Sequence, residues 1–158
     1  AQGAVIYRRG EFEMDGFRKV LEVNLMSLMA CATKFQAMLS TSKGSLIIVS
    51  TTAAYHSTMG NPAYNASKTG AVGLTRTLGE AWAENGIRVN GIAPGLVDTK
   101  MTKATTANAK RLEGALGRIP LKRLGTPADM AGAALFLASP LSSYIIGQTI
   151  VVDVGLIL

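Results

Sequence analysis

The sequence predicts an α/β fold: a parallel sheet with helices on both faces, forming a single domain over residues 1–158. Three observations predict it. Leu46, Ile47, Ile48 and Val49 form a continuous apolar run, which suits a parallel strand covered on both faces. Two further short apolar runs, IRVNGI at 87–92 and IIGQTIVV at 145–152, read as strands of the same kind. Longer segments before and between these runs carry apolar residues at three- and four-residue spacing, the period of a helix lying against a sheet.

The elements follow in order. Residues 12–38 read as one long helix, with Phe17, Val20, Leu21, Asn24, Leu25, Leu28, Met29 and Ala32 on its stripe and Asp15 capping its main part. Cys31, among apolar neighbours, is expected to be buried there. Ser42, Lys43 and Gly44 turn the chain into the first strand, expected at the centre of the sheet. Pro62 introduces a second helix over 64–84, in which Ala66, Gly70 and Gly73 leave room for another backbone. Asn85-Gly86 closes that helix. Past the second strand, residues 100–123 carry seven basic side chains against the single acid Glu113, and read as a helical lid. Thr126 as N-cap and Pro127 at N1 begin a helix reaching about Ala138. Ser142, Ser143 and Tyr144 form a loop before the last strand. No repeat, low-complexity tract or interdomain linker interrupts the chain.

Composition narrows the function. The chain of 158 residues is 48% hydrophobic and 16% charged, as a compact globular domain is. No apolar run reaches membrane-spanning length, the first residues lack the architecture of a cleavable signal, and one cysteine cannot form an internal disulfide. These features point to the cytoplasm and to no membrane partner. A net charge of +6 is no evidence of nucleic-acid binding when aromatic residues make up 6% of the chain and no basic run is interleaved with stacking rings. His56 is the sole histidine and has no partner ligands at useful spacing, so no metal is expected. It reads as a surface or pocket-lining residue.

The chemistry gathers where the first strand ends. Ligands of open α/β sheets sit beyond the carboxyl ends of the strands. The apolar run ends in hydroxyls at Ser50, Thr51 and Thr52. Tyr64 follows thirteen residues after Thr51, and Lys68 lies one helical turn further on the same face. A hydroxyl, a phenol and an ammonium converging on one point can hold and protonate a carbonyl oxygen. Asn24, a polar amide on a buried stripe, needs partners, because an unsatisfied buried amide costs about 1–3 kcal/mol.

A YxxxK pair alone is a weak signal. Joined to a hydroxyl-bearing strand, Asn24 in EVNLMS, the run Pro94-Gly95-Leu96-Val97-Asp98-Thr99 and the closing IIGQTIVVDVG, it resembles the short-chain dehydrogenase/reductases. The resemblance covers nearly all of this chain. It implies the C-terminal part of a Rossmann-like doubly wound sheet, because nothing here matches a glycine-rich phosphate loop; Gly3, Gly10 and Gly16 are too scattered for one. It also implies an oxidoreductase using NAD or NADP to interconvert a secondary alcohol and a ketone. Tyr64 would transfer the proton, Lys68 would favour its phenolate, and Thr51, assisted by Ser50, would hold the substrate oxygen. Asn24 would kink its helix and complete a proton path. Pro94, Gly95, Val97 and Thr99 would join Tyr64 and Lys68 in contacting the cofactor.

Two departures from the family pattern stand out. Thr51 occupies a position usually held by serine, and its extra methyl restricts the hydroxyl's rotamers. Val154 replaces the first of two glycines after Asp153. The small-molecule substrate stays open among 3-oxoacyl thioesters, sugars or polyols, and hydrophobic ketones. The basic segment would favour an anionic one. A homodimer or homotetramer is implied, with the second helix packing on its symmetry mate. Two alternatives stand beside this reading: an inactive remnant that cannot hold the dinucleotide by itself, with one unpaired strand edge, and an isomerase or epimerase on the same scaffold.

Overall fold

The structure, a computed structural model, describes residues 3–6 and 9–158. Three parallel strands, β1 (Ser45–Val49), β2 (Arg88–Pro94) and β3 (Thr149–Val152), pair in the order β1-β2-β3. Ser45 lies opposite Arg88, and Gly91 opposite Thr149. The middle strand is therefore β2, and the sequence expectation that β1 is central does not hold. Burial follows position. Val89 to Ala93 are all buried, whereas Ile48 alone is buried in β1, which has a strand on one side only.

The first helical stretch is interrupted. A 3₁₀ turn at Gly10–Phe12 precedes α1 (Met14–Leu21), a π-helical turn at Glu22–Met26, and α2 (Ser27–Ser42). The N-cap is Glu13, with no side-chain cap bond, and Asp15 lies inside the helix. Cys31 is exposed, contrary to expectation. Leu28, Ala32 and Leu39 pack against the core, whereas Cys31, Phe35 and Met38 are exposed along the border of that stripe. Lys43 closes α2 at φ 49°, in the left-handed region, ahead of Gly44.

The long helix α3 (Pro62–Trp82) packs on β2 and on α1. Gly70 meets Leu25 of the same chain: a Cβ there would lie 2.9 Å from Leu25 Cδ2, so this small residue serves internal packing. Gly73 faces open space. A 3₁₀ turn at Ala83–Asn85 and Gly86 at φ 75° end the helix. Ala32, Ile48, Ala71, Leu78, Trp82, Ile87 and Val89 form the core between sheet and helices.

Past β2 the chain makes a 3₁₀ turn at Lys100–Thr102, then the short α4 (Lys103–Thr106) and α5 (Ala109–Arg118). Helix α6 (Pro127–Ala138) begins with the expected cap: Thr126 and Asp129 form a capping box, with Pro127 in the first turn. The last strand is half the expected length. Before it, Asn90 donates to the Ile145 carbonyl at 2.8 Å and accepts from the Gln148 amide at 3.0 Å, beside backbone bonds from Gly147 to Val89 and from Gly91 to Gln148. Gly147, between them, sits at φ 69°. No helix among the described residues is long and apolar enough to cross a membrane.

Candidate active site

The carboxyl ends of β1 and β2, the start of α3 and the turn after β2 enclose a cavity of about 770 Å³. Thr51, Tyr64, Lys68, Pro94, Gly95, Val97 and Thr99 all line it, with Gly3, Lys100 and Met101 completing the wall. All seven sequence-expected residues on that wall come from β2, the segments directly after β1 and β2, or the first turns of α3, which is what a ligand-facing sheet edge requires. Asn24 is not among the lining residues; it stands behind them.

Each side chain is held from a distance along the chain. Lys68, 6% exposed, donates from Nζ to the Val49 carbonyl at 3.0 Å, and its Nζ lies 6.0 Å from the Tyr64 ring centroid. Burial lowers the Lys68 pKa, because the ammonium has left water. Thr51 Oγ1 donates to the Pro94 carbonyl at 3.3 Å and accepts from the Ala53 amide at 3.3 Å, both long contacts that leave the hydroxyl loosely held. Ser50, expected beside Thr51 as a helper, is instead buried and donates to the Lys68 carbonyl at 2.8 Å. It ties strand to helix.

Asn24 is 1% exposed and sits in the π-helical turn, the kink the resemblance implied. Its amide pairs twice with Ala4, accepting from the amide at 2.7 Å and donating to the carbonyl at 2.9 Å. It also donates to Ser67 Oγ at 3.1 Å, and Ser67 in turn donates to the Tyr64 carbonyl at 2.8 Å. Ser67 and the fully buried Glu11 were invisible in the sequence, where one looks like an ordinary helix residue and the other like part of a charged surface stretch. Asn65 braces the loop after β1, donating to the carbonyls of Ala53 and His56.

His56 is exposed and lies apart from this cavity, lining a smaller depression with Tyr55, Arg118 and residues 156–158. Among the described residues no group of three metal-ligating side chains occurs. The basic residues differ in their pairing. Arg123 makes a two-pronged contact with Asp129 at 2.9 and 3.0 Å, which holds the Asp129 carboxyl well below the usual carboxylate range, whereas Lys100 stands on the cavity wall.

A parallel sheet with a tyrosine–lysine pair and a hydroxyl lining one cavity at its carboxyl edge defines a class, that of α/β domains with a ligand-sized site at the ends of their strands. Known proteins agree with it. A family model described as Enoyl-(Acyl carrier protein) reductase matches residues 6–157. The chain is 42% identical over 143 residues to the 3-oxoacyl-[acyl-carrier-protein] reductase FabG of Chlamydia pneumoniae, covering 90% of this chain and 57% of that protein. It is 38% identical over 146 residues to the 2-dehydro-3-deoxy-D-gluconate 5-dehydrogenase of Bacillus subtilis (strain 168), covering 92% and 58%. Among solved structures, a gluconate 5-dehydrogenase from Burkholderia cenocepacia J2315 in complex with NADP and tartrate superposes with a TM-score of 0.90 at 28% identity, over 98% of this chain and 60% of that one. The chain belongs to the short-chain dehydrogenase/reductase family. It spans less than two thirds of the length of these relatives.

Proposed function

We propose that this chain is the substrate-facing portion of an NAD(P)-dependent oxidoreductase that interconverts a secondary alcohol and a ketone. One observation carries the reading: Thr51, Tyr64 and Lys68, from strand end and helix start, line a single cavity with the turn 94–99. The nicotinamide end of a dinucleotide fits these residues. Pro94 and Gly95 present backbone, Val97 and Thr99 flank it, and Lys68 brings a cation to the same wall. The described residues hold no glycine-rich phosphate cradle, and the reading assigns them the nicotinamide end alone. When bound, the cofactor supplies or receives the hydride.

The chain's own side chains manage the oxygen and its proton. Thr51 Oγ1 donates to the substrate oxygen and fixes it beside Tyr64 Oη. Tyr64 gives its phenolic proton to that oxygen in the reducing direction and takes it back in the oxidising one. A free phenol has a pKa near 10, so the transfer near neutral pH needs a cation close to the ring, and Lys68 is that cation. Asn24 and Ser67 hold the turn of α3 between these two residues.

Residues 100–123 act as a lid in this reading, and Lys100, Lys103, Lys110, Arg111 and Arg118 favour an anionic substrate or carrier. Both named relatives are consistent with that choice, one acting on an acyl-carrier thioester and one on a sugar acid by their names. Exposed Met29, Phe35 and Met38 on α2 support a homo-oligomer, as the resemblance implies. The test is reduction of 3-oxoacyl thioesters and of keto sugar acids by the whole protein with NADH or NADPH. Loss of turnover in Tyr64→Phe with cofactor binding intact supports the proposal. A Tyr64→Phe protein as active as the parent overturns it, and a protein that binds no dinucleotide favours the inactive remnant.

A further inference from the structure

Helix α3 starts without a local cap. Its N-cap residue, Asn61, makes no side-chain cap bond. The amide of Asn61 turns away instead, donating to Glu11 Oε1 at 3.3 Å and, at 3.5 Å, to the Ile6 carbonyl. The capping acceptor arrives from 53 residues away: the Tyr64 amide, in the first turn of α3, donates to Glu11 Oε2 at 2.8 Å. Glu11 Oε1 also accepts from the Ile6 amide at 3.0 Å. Among the described residues every partner of this carboxylate is an N–H donor, and Glu11 has no exposed surface at all. A buried carboxylate persists where several N–H groups and a helix N-terminus face it.

We propose that Glu11 is a positioning residue for the reaction, a remote cap that sets Tyr64 against Lys68 and Thr51. It does so by fastening the first turn of α3 to residues 3–6, whose Gly3 lies on the cavity wall and whose Ala4 is pinned by Asn24. The tyrosine and the wall opposite are thus held by one side chain. The proposal rests on the reading of Tyr64 as the proton-transferring group, and its test separates the two.

The experiment uses the whole protein labelled with carbon-13 at the tyrosine ζ position. The Tyr64 signal is assigned by its loss in Tyr64→Phe, and exposed Tyr144 serves as internal reference. Glu11→Ala, Glu11→Gln and Glu11→Asp are compared with the parent for the Tyr64 titration midpoint and for amide exchange along α3. Lys68, near the ring, and Glu11, on the backbone amide, are charged groups placed against Tyr64 among the described residues. Expected in Glu11→Ala is exchange of the Tyr64 amide faster by roughly tenfold or more, with the Leu78 amide unchanged and the Tyr64 midpoint displaced towards that of Tyr144. Glu11→Asp restores part of both effects. Should Glu11→Ala fail to fold, Glu11→Gln, which keeps one acceptor and loses the charge, decides the matter by the same two readouts. A folded variant whose Tyr64 midpoint and amide exchange match the parent overturns the inference. A parent Tyr64 that titrates together with Tyr144, while Glu11→Ala still speeds amide exchange, would overturn the proton-transfer role of Tyr64 and leave Glu11 a structural cap only.

Discussion

The start of α3 and the basic segment after β2 face the same cavity, yet they are built differently. Around Tyr64 the polar side chains bond across the fold: Glu11 to Tyr64, Asn24 to Ser67, Ser50 and Lys68 to each other's elements. Between residues 99 and 123 nearly every side-chain bond closes within a few residues, as in Thr102 to Val97, Arg111 to Ala104 and Lys122 to Gly117. Long-range bonds among buried groups tie a side chain's position to global stability, whereas local bonds let a segment move or open as a unit. The first region is suited to holding reacting atoms. The second is suited to admitting a substrate.

That contrast can be broken or sharpened by substitution, starting with the largest effect. Tyr64→Phe should lower turnover of the whole protein by roughly 10²–10⁴-fold, the usual worth of a positioned proton donor, with cofactor affinity, read by nucleotide fluorescence titration, little changed. Lys110→Glu together with Arg111→Glu should raise KM for an anionic ketone several-fold and leave KM for a neutral ketone alone, since steering acts through charge. Equal change for both substrates would remove the charge argument.

Lys68→Met tests the buried cation through pH. Burial lowers the Lys68 pKa below its ordinary 10.5, so between the folded value and 10.5 the unfolded chain binds more protons than the folded one. Stability of the parent relative to Lys68→Met should therefore rise with pH across that window and level off above 10.5. Urea midpoints at several pH values would show it. A flat difference would mean the lysine is not desolvated.

Val154 sits at φ 52°, a left-handed conformation that a β-branched side chain adopts only under strain. Val154→Gly should raise stability by about 1 kcal/mol, seen as a higher urea midpoint at unchanged slope. The smallest effect is expected from Asp129→Asn. The Arg123–Asp129 pair lies at the surface, where such pairs contribute little. Its contribution is present above the unfolded carboxylate's 3.8 and is lost as pH falls below it, so parent and variant should converge in acid.

The sequence disclosed whatever depended on periodicity or on a short motif. The continuous apolar run at Leu46 to Val49, the capping pattern at Thr126 and Pro127, and the Tyr64–Lys68 spacing each led to the element or wall they predict. What escaped depended on neighbours remote in sequence. Cys31 looked buried because its local context is apolar, but only its helix partners decide which side meets the core. The edge position of β1 is a property of strand order, which no run of residues encodes. Ser50 was read as part of the reacting set from its place beside Thr51, and its hydroxyl turned out to serve the Lys68 carbonyl. Glu11 was missed because a buried carboxylate and a solvated one are the same letter.

The π-helical turn at Glu22–Met26 has a bearing on which length changes the protein can absorb. A π turn is one residue wider than an α turn. Deleting one residue there would let the backbone relax into an uninterrupted α-helix with α2 keeping its faces relative to α1, because the wider turn is what absorbs the extra residue. Leu28 and Ala32 would stay on the core, and the loss would fall on Asn24, whose bonds to Ala4 and Ser67 depend on that turn. A deletion that improves the helix would thus leave the domain folded and remove the brace behind the candidate site.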